Sequence, residues 1–264
     1  MADFFWFSDA QWERIAPLLP TDLRGKARVD DRRVLSGIVH AMRCGSRWAD
    51  CANVYGLRKM LYNRFVRWAE RGVWGSIFRA LTGGDGTPVR RYAGTPVRRY
   101  AGPAVHRQQL HQGAPLRRRR KRGCLAHGIG RTRGGRNTKL HAVCDVRGRP
   151  HVLQLAPGNV HDCKVAKTCI AALPPSAELV ADKGYDSQTL REWLDERGTE
   201  AVIPPRRNRK VQYDYDRIIH KQRNVIERMF CRLKDWRRIA TRFDRNIKNF
   251  MAAIALAAAV IWWL

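Results

Sequence analysis

Four residues define the chemistry this sequence could perform. Arg223, Glu227 and Lys234 are four and seven residues apart, which on an α-helix sets them along one stripe together with Cys231. Asp182 directly follows Glu178–Ala181, a short apolar run of the kind that forms a buried strand. Ligands of α/β sheets bind beyond the carboxyl ends of strands, and Asp182 stands at that kind of position. Two or three carboxylates converging there suit Mg²⁺, a hard cation that takes oxygen ligands and bridges to phosphate. Two such ions can activate an attacking hydroxyl and stabilise the leaving oxygen at a phosphodiester. Arg223 and Lys234 would then neutralise phosphate charge beside them. The same stripe also reads as a solvated Glu–Arg/Lys ladder. Spacing alone leaves both readings open.

The elements that must position these residues follow from hydrophobic periodicity. Arg217–Arg238 reads as one helix, with Ile226, Met229, Phe230 and Leu233 at i, i+3, i+4 and i+7 forming its apolar face. Upstream, Thr138–Cys144 reads as a strand, Asp145–Gly148 as a turn and His151–Leu155 as the hairpin partner. Asp162–Leu173 forms a helix closed by Pro174 and Pro175, and Glu178–Ala181 is the strand that delivers Asp182. Asp186–Arg197 is a helix capped by Asp186 or Ser187 and ended by Gly198, and Ala201–Ile203 is a further strand. A basic loop, Arg206, Arg207, Arg209 and Lys210, precedes the long helix. This order predicts an α/β sheet flanked by helices over residues 128–264. Phe250–Leu264 is apolar throughout but has fifteen residues where a membrane span needs about 20, so it reads as a buried terminal helix, with no membrane partner.

Residues 1–81 read as an all-helical unit. Ser8 caps a helix carrying Trp12, Ile15, Leu18 and Leu19, and Asp30–Arg43 repeats the pattern up to Gly45. After Arg47–Tyr55 and a turn at Gly56, the helix Leu57–Arg71 interleaves Arg58, Lys59, Arg64, Arg67 and Arg71 with Tyr62, Phe65 and Trp68. A short Gly turn leading into a basic helix is the outline of a helix-turn-helix; an ordinary helical bundle has the same outline. Residues 82–127 differ in kind. The octapeptide Thr87–Gly94 recurs unchanged at Thr95–Gly102, followed by a stretch with four successive arginines and no acid. The composition reads as a disordered basic linker.

The 264 residues carry 51 Lys and Arg against 23 Asp and Glu, a formal charge of +28. Such an excess calls for a polyanion, and double-stranded DNA is the first partner to consider. Seven cysteines without a Cys-x-x-Cys pair argue against a disulfide framework and a zinc site, and fit a reducing cytosol. No signal peptide is evident in Met1–Leu19.

Three segments, Ala181–Ser187, Ile203–Lys210 and Arg223–Asp244, closely resemble bacterial insertion-sequence transposases of the DDE type. That group carries the signature Tyr, two residues, Arg, three residues, Glu, six residues, Lys. Arg223, Glu227 and Lys234 occupy its last three places at the correct gaps, while His220 stands at the Tyr. Gly130–Asp145, Gly158–Ala166 and Phe7 to about Leu81 also look like the group. The resemblance implies an RNase H-like catalytic domain with flanking helices behind a helical DNA-binding unit. It also implies a divalent-metal triad (Mg²⁺ or Mn²⁺) in which Asp182 is the second acid and Glu227 the third. The implied activity is cleavage and strand transfer at terminal inverted repeats, in the cytoplasm on nucleoid DNA and as a homodimer in the DNA complex. The first acid should lie on the first catalytic-domain strand within residues 86–123, where no Asp or Glu occurs. Read one base out of frame with permitted codons, His106–Gly123 becomes a string beginning Ile-Asp-Ser-Ser, the expected motif, if the Arg107 codon ends in GA. The expectation is therefore a frameshifted segment, a disrupted first strand and a transposase that is inactive as encoded. The alternative is a non-catalytic DNA-binding protein derived from one.

Overall fold

The computed structural model describes residues 4–20, 30–83, 90–94, 100–101, 128–132 and 135–264. Its first part is helical. Ser8 caps α1 (Asp9–Ile15) and Asp30 caps α2 (Asp31–Cys44), each side chain accepting from a backbone N–H of the first turn. Gly45, at φ +73°, ends α2 in the left-handed region. Arg47–Tyr55 forms two 3₁₀ turns, Trp48–Asp50 and Asn53–Tyr55, so the helix against which α3 (Arg58–Glu70) packs is α2. Gly37 permits that approach, because a Cβ there would come within 2.5 Å of Leu61 and Tyr55. A fourth helix, α4 (Val73–Thr82), follows a glycine at φ +72° and lies beyond the expected Leu57–Arg71 helix.

The sheet follows the path β5–β4–β1–β6–β7. β4 (Gly135–Cys144) and β5 (Pro150–Pro157) form the expected hairpin. β6 (Glu178–Ala181) and β7 (Glu200–Val202) run parallel. Between the hairpin and β6 lies β1 (Arg90–Gly94), antiparallel to β4 and parallel to β6. This departs from the expected disrupted strand: the first copy of the repeat supplies the central strand. Its sequence suits the place, because Tyr92 enters the apolar core on one face while Ala93 enters that on the other. Two short strands, β2 (Tyr100–Ala101) and β3 (Gly130–Thr132), pair with the start of β4. The interval around Arg107, where the first acid and the frameshift were expected, lies outside the described residues.

On one face of the sheet α5 (Asp162–Ala171) and α6 (Gln188–Asp195) cover Ala93, Val143, Leu179 and Ala181. On the other, Tyr92, Leu140, Ala142 and Val180 belong to a larger core that also takes in α2, α3 and α4. The element joining the two parts is α10 (Ile247–Ala258), which continues through a π-helical turn, Ala259–Trp263. It packs on α2, α3, α4 and β5 and is buried on almost every side. An all-round apolar helix belongs in such a place. No helix among the described residues is long and apolar enough to cross a membrane.

The long helix expected over Arg217–Arg238 is three: α7 (Arg217–Lys221), α8 (Asn224–Lys234) and α9 (Arg237–Ala240). At the first break the N–H groups of Gln222, Arg223, Val225 and Ile226 bond carbonyls three residues back, tightening the turn. The Gln222 side chain there accepts the Tyr92 hydroxyl at 3.2 Å. The second break is at Trp236, whose ψ of 104° is extended. The predicted apolar face survives within α8, where Ile226, Met229, Phe230 and Leu233 are all buried.

The β4–β5 turn supplies a pH test. Asp145 is buried; it accepts from the N–H groups of Arg147 and Arg149 at 2.9 Å and from Arg149 Nε at 2.8 Å. Burial pushes its carboxyl up, but His151, 3.5 Å away, and Arg149 outweigh this and hold it at about 2. An acid depressed on folding stabilises above its unfolded value of about 3.9 and loses that contribution as pH falls through the folded value. Asp145→Asn is therefore expected to be less stable by about 2–3 kcal/mol at pH 6. The gap should close between pH 4 and 2, as measured by denaturant unfolding across that range.

Candidate active site at the carboxyl end of the central strands

Asp182 leaves the end of β6 and caps the 3₁₀ turn Lys183–Tyr185, its Oδ1 accepting from Gly184 N at 2.8 Å. Gly184 matters because a Cβ there would sit 2.8 Å from Asp182 Oδ1 and 3.3 Å from Asp162 Oδ2. Asp162 thus shares this corner with Asp182. Its carboxylate is held by Lys139 Nζ at 2.7 Å, and Lys139 also donates to the Val160 carbonyl. In the sequence Asp162 stands only as the start of the helix Asp162–Leu173. Its proximity arises from packing of α5 on β4 and on the 3₁₀ turn after β6, and leaves no spacing signal.

His220, in the Tyr position of the signature, places Nε2 3.2 Å from the Ala181 carbonyl and ties α7 to the strand that carries Asp182. Its ring packs edge-on against Tyr215. Burial and the nearby Arg223 charge push it below the usual imidazole value, against opposing effects of the Ala181 carbonyl and Asp182. Neutral imidazole retains one N–H, so the contact to Ala181 does not require a charge.

Glu227 sits on the first turns of α8, where Arg223 donates to its Oε1 at 2.6 Å, so the predicted i, i+4 pair forms across the tightened turn. The Glu227 side chain is 39% exposed. Lys234 is half-buried two turns further along α8. α8 packs on β1 and α7 on β6, which brings Glu227 and Asp182 to neighbouring elements. Beside them β1 ends in Gly94. Ala93 pairs with Ala181, so one step further along these parallel strands Gly94 stands level with Asp182. A Cβ on Gly94 would point at Ile226, the residue before Glu227, 3.3 Å from its Cγ2.

Asp182 and Glu227 offer oxygen donors of the type Mg²⁺ prefers. Glu227 is engaged by Arg223 and Asp182 by Gly184 N, and no group of three His, Cys, Asp or Glu among the described residues is arranged to hold an ion.

The expected DNA-contacting cations divide into two sets. Arg58, Lys59 and Arg67 on α3, and Arg207 and Lys210 in the loop before α7, are exposed. Arg64 is instead paired with Asp31 of α2 and lies over Trp68. Arg206 donates to the Lys183 and Gly184 carbonyls, and Arg209 to Asp186 and Gln188. These three fasten elements together.

The comparisons agree with this architecture. Residues 104–262 match the family model "Transposase DDE domain", and residues 7–78 match "Putative transposase of IS4/5 family". The chain belongs to the DDE transposase family. Among curated members, the "Putative transposase for insertion sequence element IS6501" of Brucella ovis is 34% identical over 128 residues, 47% of this chain and 97% of that protein. The "Putative transposase for insertion sequence element IS402" of Burkholderia cepacia is 33% identical over 137 residues, covering 48% of this chain and 63% of the relative. The "Transposase for insertion sequence element IS1106" of Neisseria meningitidis is 34% identical over 97 residues, covering 35% and 34%. No solved structure matches the chain significantly. For a DDE transposase the mixed sheet with flanking helices is consistent with an RNase H-like catalytic domain, and the family generally uses divalent ions.

Proposed function

We propose that this chain is an insertion-sequence transposase by descent. On this reading it retains binding to double-stranded DNA at terminal inverted repeats and has lost metal-dependent cleavage and strand transfer. The observation that carries the second half is the end of β1: Gly94 stands level with Asp182, and residues 86–123 contain no acid that could replace it. The residues present keep the remaining parts of the site in order. Gly184 N orients Asp182, His220 ties α7 to β6, and Arg223 holds Glu227. The net charge of +28 and the exposed Arg58, Lys59 and Arg67 of α3 support the first half. A protein with this balance of parts would act as a non-catalytic DNA-binding protein that occupies transposon ends, as a homodimer where two ends are paired.

The test sets an electrophoretic binding assay beside a cleavage and joining assay on inverted-repeat duplexes, in Mg²⁺ and in Mn²⁺. Binding is expected, with affinity falling steeply as salt rises. Alanine at Arg58, Lys59 or Arg67 should each reduce the salt slope by about one. No cleavage above background is expected from the chain as encoded. Gly94→Asp sets a carboxylate level with Asp182, its Cβ meeting the Ile226 side chain at 3.3 Å, and recovery of Mg²⁺-dependent nicking in that variant supports the lost-acid reading. Cleavage or joining by the parent chain rejects it.

A further inference from the structure

The octapeptide Thr87–Gly94 is repeated without change at Thr95–Gly102, and the first copy supplies the central strand. We propose that the second copy can take the same place, giving the middle of the sheet two registers eight residues apart. Every contact that seats β1 uses a residue type present in both copies. Arg91 donates to the Pro174 carbonyl, Tyr92 is buried with its hydroxyl on Gln222, Ala93 fills the opposite core, and Gly94 lies against Ile226. Arg99, Tyr100, Ala101 and Gly102 repeat that order.

The period is even, which is decisive for a strand. A slip by an odd number turns every side chain to the wrong face, whereas a slip by eight leaves each on its own. The slip also adds eight residues to the connection after α4 and removes them from the one leading to β3. Closure entropy changes slowly with loop length, so this transfer costs little. What the second register gives up is the pairing of Tyr100–Ala101 with Thr138 and Asn137. That loss makes the first copy the major occupant and the second a minor one. Both copies end Tyr-Ala-Gly, so neither register brings an acid to Asp182, and this inference does not depend on the proposed loss of activity.

Thermal unfolding of the full chain tests it. Tyr92→Asp puts a carboxylate in the core of the observed register and is expected to lower Tm by only a few degrees, because the intact second copy replaces it. Tyr100→Asp should behave likewise, and the double variant should lose its cooperative transition. Cross-linking reads the register directly. Tyr92 lies opposite Cys144, whereas Tyr100 pairs with Thr138, six residues away along β4 or about 20 Å. Tyr100→Cys is therefore expected to form a disulfide with Cys144 only from the slipped register, at a yield that rises when combined with Tyr92→Asp. The proposal is overturned if Tyr92→Asp alone unfolds the chain as far as the double variant does. It is equally overturned if the double variant folds like the parent, or if peptide mapping finds no Cys144 adduct in either background.

Discussion

Asp186→Ala is expected to destabilise the protein by about 3–5 kcal/mol, the usual cost of removing one partner from a buried ion pair. The Asp186 side chain is fully buried, and it accepts from Arg191 Nε at 3.0 Å, Arg209 at 2.9 Å and the Arg206 backbone N–H at 2.9 Å. Burial alone would push its carboxyl up; the Arg206 N–H and the two guanidinium groups outweigh this and hold it below the usual range. Alanine would leave Arg191, itself buried, with its remaining bond to the Ile203 carbonyl at 2.6 Å and no counter-charge. It would also remove the acceptor of the Arg206 backbone N–H and one acceptor of Arg209. The loop that carries Arg207 and Lys210 would remain held by the Arg206 side chain on the Lys183 and Gly184 carbonyls and by Arg209 on Gln188. Urea unfolding should show a lower midpoint with an unchanged slope. Asp186→Asn, which keeps an acceptor oxygen, should lose less. Equal loss from both variants would show that the charge, and not the shape of the acceptor, holds the loop.

Asp244→Ala is expected to cost a similar amount, lowering Tm on the order of 10 °C. Arg238 is fully buried, lies between the rings of Trp48 and Phe243 at 4.8 and 4.1 Å, and donates to the Ser46 carbonyl at 2.8 Å. Asp244, 3.2 Å away, is its carboxylate partner. Burial raises the Asp244 carboxyl above its ordinary value despite the opposing pull of Arg238. The pair therefore contributes less to stability than its burial suggests, while either member left alone is costly. The prediction is a contrast. Asp244→Ala strands a buried guanidinium, whereas Arg238→Met with Asp244→Leu restores an apolar contact to Trp48 and should recover most of the loss. A double variant no more stable than the single one would rule this account out.

The sequence exposed those parts of the fold that depend on local period. The hairpin of β4 and β5, the strand ending at Ala181 and the apolar face of α8 each follow from alternation or from i, i+3, i+4 spacing, and each is present near its expected bounds. Arg90–Gly94 was hidden by its arginines. Five residues with two charges read as linker until they are seen flanked by β4 and β6, where only Tyr92 and Ala93 need be apolar. The break at Gln222 interrupts an unbroken helical pattern, and the partner that the Gln222 side chain meets there, the Tyr92 hydroxyl, is 130 residues distant in sequence. Asp182 and Glu227 stand out as candidates, one after a strand and one on the Arg223–Lys234 stripe, but their spacing alone leaves the solvated-ladder reading open and only the resemblance singles them out. Asp162 beside Gly184, Asp31 on Arg64 and Asp186 on Arg209 are not legible in the sequence, because each pairing is made by chain segments that meet only after folding.

The seating of α10 has a consequence for synthesis. Its apolar residues fill the space between α3, α4 and β5, yet it begins roughly 165 residues after α4 ends. At about 5–20 residues per second, the ribosome needs roughly ten to thirty seconds to deliver it. During that interval the nascent helices α2 to α4 carry an uncovered apolar face. The helices α2 to α4 thus complete their packing only after α10 has been made, and until then their uncovered face is a natural site for chaperones.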